Sequence, residues 1–257
     1  MKNQLTRNIK EIIDEYPKIQ DILDEYNIGC STCNVGTCQL KDIIEIHNLS
    51  VEQEQKLLKK IAEVIYPGQD VEIPKLNRKV KDNKLRYSPP MQKLVDEHKL
   101  IKRVLAILPN FVKKLDIEKD GKTVKEIVDF IKSYADRYHH AKEEDILFKY
   151  FDPGLDILKV MHEDHESARN HVKEILSGLE KKNESSVKKH LLEYRDLLTE
   201  HIKKEDEILY PWMDRNLGDK QVGELFSRFY DVDGEFPDAF KKYNSLVKGL
   251  EEMYGHA

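Results

Sequence analysis

Apolar positions recur every three or four residues along most of this chain, the period of helices with one buried face. In residues 1–66 the pattern comes in short pieces. Ile19, Ile22 and Leu23 follow Pro17, which suits a first helical turn, and the apolar face runs on to Tyr26 and Ile28; Leu40, Ile43 and Ile44 form a second piece. A third runs from Val51 to Ile65, with Ser50 placed to cap it. From Pro67 to Pro90 the period fails. Pro67-Gly68, Pro74 and Pro89-Pro90 interrupt any helix, and Lys75, Arg78, Lys79, Lys81, Lys84 and Arg86 accumulate, the composition of a solvated linker.

After Pro90 the pattern predicts four long helices. The first carries Leu94, His98, Ile101, Leu105 and Leu108 on one face. The second, opening near Thr123, carries Val124, Val128, Ile131, Ala135, His139, Glu143 and Ile146. The third follows Pro153-Gly154 with Leu158, Met161, His165, Ala168, Val172 and Ile175. The fourth, capped near Ser185 or Ser186 and stopped by Pro211, carries Leu191, Tyr194, Leu198, His201, Glu205 and Ile208. Two further amphipathic helices, through Val222, Leu225, Phe226 and Phe229 and then Phe240, Tyr243, Leu246 and Leu250, are expected to cover the bundle. The expected organisation is all-α. It has a small helical cysteine-bearing domain at 1–66, a linker at 67–89, and an antiparallel four-helix bundle with a C-terminal extension at 90–257.

Polar residues inside the apolar stripes change this picture from architecture to chemistry. His139-x3-Glu143 on the second helix is repeated as His201-x3-Glu205 on the fourth, each ahead of an Ile-Leu-aromatic run. Asp96-Glu97-His98 on the first likewise matches Glu163-Asp164-His165 on the third, so one helical hairpin is duplicated and its site should have pseudo-twofold symmetry. Residues four apart share a helix face. Counting from the hairpin loops, each of His98 and His139 stands roughly 25 Å up its helix at 1.5 Å per residue, and His165 and His201 agree with one another in the same way. The ligands therefore fall in one layer. A lone histidine on such a stripe is ordinarily a hydrogen-bonded core residue, but several kcal/mol would be needed to bury each of two carboxylates without a cation. Two carboxylates with four imidazoles suit two divalent cations, Glu143 and Glu205 bridging and two histidines completing each ion. Donors of this class, without thiolate, favour iron, with manganese and zinc as competitors. Alignment of the repeats leaves His140 outside the match. His171 is also off the stripe, and His162, one turn before His165, is the nearest additional candidate.

Charge narrows the partners. With 43 basic and 48 acidic side chains, the net charge of -5 offers no overall attraction to nucleic acid or anionic membrane. No apolar run approaches a membrane span, and Glu11, Asp14 and Glu15 interrupt any signal-peptide core, so a cytoplasmic location is expected. A homodimer is compatible with the chain.

On the quoted motifs, residues 90–213 resemble the hemerythrin-like metal-binding domain, which implies a non-haem di-iron centre. The oxygen-carrying hemerythrins have a fifth histidine and an aspartate in place of the second glutamate. The symmetrical set His98, His139, Glu143, His165, His201 and Glu205 instead resembles the di-iron proteins that repair iron centres under nitric oxide and peroxide stress, in which a small cysteine-bearing module also precedes the bundle. The loop here reads Cys30-x2-Cys33-x4-Cys38, where that family carries adjacent cysteines. Three readings of Cys30, Cys33 and Cys38 stand side by side: a further metal or iron-sulfur cluster site, with His47 as a fourth ligand only if the helix folds back; a redox pair at Cys30 and Cys33; and idle thiols. An odd number of cysteines does not make a secreted disulfide framework. Two functions follow from the resemblance. One is iron donation to, or repair of, damaged iron-sulfur clusters in client proteins; the other is reversible binding or sensing of dioxygen or nitric oxide.

Overall fold

The computed structural model describes residues 1–26, 28, 39–47, 49–76 and 87–255. Cys30, Cys33 and Cys38 lie outside these residues, as does the basic run from Arg78 to Arg86. The described chain is all-α as expected, with no strand and a single isolated bridge between Asn8 and Gln39. No helix among the described residues is long and apolar enough to cross a membrane. The chain divides into two compact units, one of Met1–Arg86 with Ile208–Asn216, the other of Tyr87–Glu207 with Leu217–Ala257.

In the first unit, α1 (Ile9–Glu15), α2 (Lys18–Asp24), α3 (Leu40–Ile46) and α4 (Val51–Ile65) gather Ile9, Ile12, Ile19, Leu23, Leu40, Leu58 and Ile61 into one core. Ser50 caps α4 as its sequence predicts. Its side chain accepts from the Gln53 amide at 3.1 Å, and the Gln53 side chain accepts from the Ser50 amide at 2.9 Å, so two otherwise orphaned donors are satisfied reciprocally.

In the second unit, α5 (Pro89–Lys114), α6 (Ile117–Phe130) with its continuation to Leu147, α7 (Asp156–Glu180) and α8 (Glu184–Lys204) form the bundle. Prolines 89 and 90 occupy the first turn of α5, where a missing N–H costs nothing. Three boundaries differ from the sequence-based expectation, and local chemistry explains each. The second helix begins at Ile117 rather than near Thr123, because Asp116 accepts from the Glu118 amide at 3.1 Å and caps it. The fourth is capped by Asn183, which accepts from the Ser186 amide at 3.1 Å, ahead of the serines. Pro211 does not stop a helix but sits in the first turn of α9 (Tyr210–Asn216), which is counted with the first unit and where its ring is tolerated.

The continuation of α6 departs from α-geometry. Ile131–His140 and Glu143–Leu147 are π-helical, and a π segment, Glu205–Leu209, also follows α8. Both duplicated glutamates thus open a five-residue π segment, whereas the ten-residue π stretch occurs in the first hairpin alone. Bonding from i to i+5 widens the turn, so consecutive side chains diverge less than in an α-helix.

The C-terminal helices α10 (Asp219–Glu235) and α11 (Ala239–Tyr254) pack on α5 and the α6 continuation. Tyr243 inserts among Phe130 and Tyr134, with ring centroids 5.5 and 5.8 Å away, and its hydroxyl donates to Asp129 at 3.0 Å. It is 3% exposed. Tyr243→Ala is therefore expected to cost about 3–5 kcal/mol, as large aromatic truncations do, and to lower the melting temperature by roughly 10 °C in a thermal scan. A loss of a degree or less would mean that α11 adds little to the bundle.

Candidate metal centre

The six residues singled out by the duplication meet in the core of the second unit. His98 comes from α5, His139 from the π stretch after α6, His165 from α7 and His201 from α8, and Glu143 and Glu205 lie between them; all six are buried. Glu205 spans two imidazoles, its Oε2 3.3 Å from His98 Nε2 and its Oε1 3.2 Å from His201 Nε2. Glu143 Oε2 lies 3.8 Å from His139 Nε2 and 3.6 Å from His165 Nε2. Each carboxylate therefore faces one histidine of the first hairpin and one of the second. The two carboxylates are thus related by the pseudo-twofold pattern of the duplicated hairpin.

The outward nitrogens complete the arrangement. His98 Nδ1 bonds Asp206 at 2.7 Å, His139 Nδ1 bonds Glu97 at 2.9 Å, His165 Nδ1 bonds Glu144 at 2.6 Å and His201 Nδ1 bonds Asp164 at 3.2 Å. A carboxylate accepts, so each Nδ1 carries a hydrogen and each Nε2 is the nitrogen turned inward, those of His165 and His201 sharing a proton at 3.0 Å. That tautomer is the one a metal-ligating imidazole requires. A cation backs every outer carboxylate: Lys102 on Asp206 at 2.5 Å, Lys142 on Glu97 at 2.5 Å, Arg169 on Glu144 at 2.8 Å and Lys204 on Asp164 at 2.8 Å. Lys142 is wholly buried, lies 3.4 Å from the Tyr138 ring centroid, and also reaches Asp233 of α10 at 3.0 Å. The C-terminal extension thus touches the frame that orients His139.

Burial without a metal leaves this cluster electrostatically divided. Burial works against a charge on His201, yet Glu205 and Asp164 outweigh it and lift its pKa to about 9. His98 is also raised, since Asp206 and Glu205 outweigh the same burial. His139 is pushed down to about 4 by burial, with the neighbouring His98 adding to the effect, and burial carries His165 well below its ordinary value. Glu205 is held well below the carboxylate range because His201 and His98 overcome its desolvation. His139 Nε2 is buried with no hydrogen-bond partner, and neither oxygen of Glu205 makes a bond of acceptable angle. Inward imidazole nitrogens and carboxylate oxygens converging in a buried space are a donor set that divalent cations would satisfy, displacing the protons held there.

His140, left outside the sequence alignment, joins this layer. Its ring stacks on His165 with centroids 3.8 Å apart and 13° between planes, and one nitrogen of it falls with ligand atoms of Glu143, His165 and His201 within 4.8 Å of one another. His98, His139 and Glu205 form the companion group. The π stretch turns two successive histidines toward the core, which periodicity at 3.6 could not reveal. A cavity of about 290 Å³, bounded by Ile131, Val172, Leu176, Tyr194 and Arg169, also has His140 in its lining. His140 lacks the carboxylate bond that orients the other four, since Asp136 is 3.6 Å from its Nδ1 and that nitrogen has no hydrogen bond. His162 is exposed, edge-on to Phe148 at 5.5 Å, and stands apart from the layer. His171 belongs to a separate cluster with His190 and Glu193.

Residues 90–213 match the family model of the hemerythrin HHE cation binding domain. The match spans every residue from His98 to Glu205, so this stretch is similar to a hemerythrin-type cation-binding domain. Its limits leave out α10, α11 and residues 1–89. Nothing among curated proteins or solved structures matches the chain. Within the matched residues, the outer carboxylates Glu97, Glu144, Asp164 and Asp206 were given no role by sequence reasoning. The signal was there: an acidic residue directly precedes His98 and His165, and another directly follows Glu143 and Glu205.

The unequal framing of the adjacent histidines yields a prediction. His139→Gln is expected to weaken metal binding by at least about tenfold, whereas His140→Gln retains the metal, as read by metal content after gel filtration. Retention in His139→Gln with loss in His140→Gln would reverse the assignment.

Proposed function

We propose that the domain holds two iron ions bridged by Glu143 and Glu205, with His98 and His139 completing one ion and His165 and His201 the other. The observation that carries this reading is Glu205, whose two oxygens face imidazoles of different hairpins at 3.3 and 3.2 Å. When bound, a pair of irons supplies redox chemistry toward nitric oxide, dioxygen or peroxide. The chain contributes the orienting carboxylates, an apolar surround that limits water, and the cavity beside His140.

On this reading the chain serves nitrosative and oxidative stress by supplying iron to damaged iron-sulfur clusters. Imidazole and carboxylate ligands hold ferrous iron less tightly than the sulfur-rich ligands of a client cluster, so ferrous iron as cargo would pass from nitrogen and oxygen donors to thiolates. The cysteine loop at Cys30, Cys33 and Cys38 would assist transfer.

The test is to add iron-loaded protein to a cluster enzyme damaged by nitric oxide or peroxide. Activity should return faster than with an equal concentration of free ferrous iron. A triple Cys30, Cys33 and Cys38 to Ser variant should keep its bundle iron and restore activity more slowly. Performance no better than free iron would remove the repair role and leave binding of dioxygen or nitric oxide as the better reading.

A further inference from the structure

α7 and α8 bring a second set of metal-ligating side chains together. His171 lies six residues beyond His165 on α7, and His190 eleven residues before His201 on α8. Both therefore stand nearer the hairpin turn than the centre does, roughly 9 and 16 Å along their helices from those two ligands. His171 Nδ1 is 3.1 Å from His190 Nδ1. Glu193, three residues along α8 from His190, brings Oε2 to 3.2 Å from His190 Nδ1 and 3.6 Å from His171 Nδ1. The cluster shares no residue with the bundle centre.

A hydrogen bond accounts for part of this. One proton can lie between the two nitrogens, but three donor atoms converging on one another form a face. Zinc binds imidazole nitrogen at about 2.0–2.1 Å and carboxylate oxygen at about 2.0–2.2 Å, which places the ligand atoms of a tetrahedral ion about 3.3 Å apart. The separations of 3.1, 3.2 and 3.6 Å bracket that edge. The other Glu193 oxygen is steadied by Lys189, whose Nζ is 3.8 Å away. All three ligand residues are open enough to solvent for an ion to enter and for water to take a fourth position.

We propose that His171, His190 and Glu193 form a separate metal site that takes one zinc-class divalent cation. Two imidazoles and one carboxylate favour late first-row ions, and zinc outranks ferrous iron at such a site, so the two sites of the domain would differ in metal preference. Partial exposure makes this site exchangeable, unlike the buried centre.

The experiment titrates zinc chloride into the full-length protein, with its bundle centre already loaded, and reads zinc bound per chain by calorimetry and elemental analysis. One additional zinc is expected. Glu193→Gln and the double variant His171→Gln/His190→Gln should each weaken that binding by at least about tenfold while leaving the bundle metal in place. Zinc binding of parental affinity in the double variant would overturn the proposal, as would a parent that takes up no zinc. Loss of the bundle metal in the variants would also overturn it, because the two sites would then not be separate. Parent and variants differ only in the outer cluster, so the comparison holds whichever metal the bundle centre contains.

Discussion

Glu205→Ala is expected to strip the bundle of at least one of two metal ions and to lower the melting temperature by about 10 °C. Glu205 is the anion common to His98 and His201, lying 3.3 and 3.2 Å from their inward nitrogens. Both imidazoles are shifted toward the charged form, burial opposing and the neighbouring carboxylates prevailing. Removing that carboxylate leaves buried positive groups without their shared counter-charge, a change that typically costs about 3–5 kcal/mol. At roughly 2–4 °C per kcal/mol for a unit of this size, the loss is visible in a thermal scan. Glu205→Gln keeps the shape and removes the charge, so it should lose metal as well. Undiminished metal content in both variants would show that Glu205 is not a ligand.

Removal of the metal from the parent should have an effect of similar size. An ion that binds only the folded state at about a thousand times its dissociation constant stabilises by roughly 4 kcal/mol, and chelation should therefore lower the melting temperature by about 10 °C. The metal-free chain should also show a pH signature. His201, ordinarily near 6.5, is lifted to about 9, so the stability it contributes is fully present below about 6.5 and is lost as pH rises through about 9. Metal binding displaces that proton and strengthens as pH rises. The gap between loaded and metal-free melting temperatures should thus widen from pH 6.5 to pH 9. A gap that narrows over this range would contradict the arrangement of Glu205 between two cationic imidazoles.

Much of this centre was legible in the chain because the ligands lie on a duplicated pattern. His-x3-Glu occurs twice, and counting residues from each hairpin loop put four histidines and two glutamates in one layer. The bundle and its C-terminal cover followed from apolar spacing, and Tyr243 and Leu250 lie in the same core as Phe130 and Tyr134. What spacing could not convey was the π geometry. From Ile131 to His139 the buried positions keep three- and four-residue spacing, so the sequence carries no mark of the wider turn that brings His140 in beside His139. The helix starts were misjudged for a different reason: Asp116 and Asn183 are capping residues whose role depends on a side chain meeting one particular amide. The outer shell was readable as acidic neighbours of the ligands, but its crossed pairing was not. Glu97 sits beside His98 in sequence and holds His139 instead, because the hairpin partner's imidazole is the one within reach.

The most direct measurement is the iron content of the full-length protein purified without oxygen, alongside Glu143→Ala and Glu205→Ala. A bridged centre predicts about two irons per chain in the parent and at most one in each variant. A parent with one iron or none when fully loaded, or a content unchanged in both variants, would contradict it.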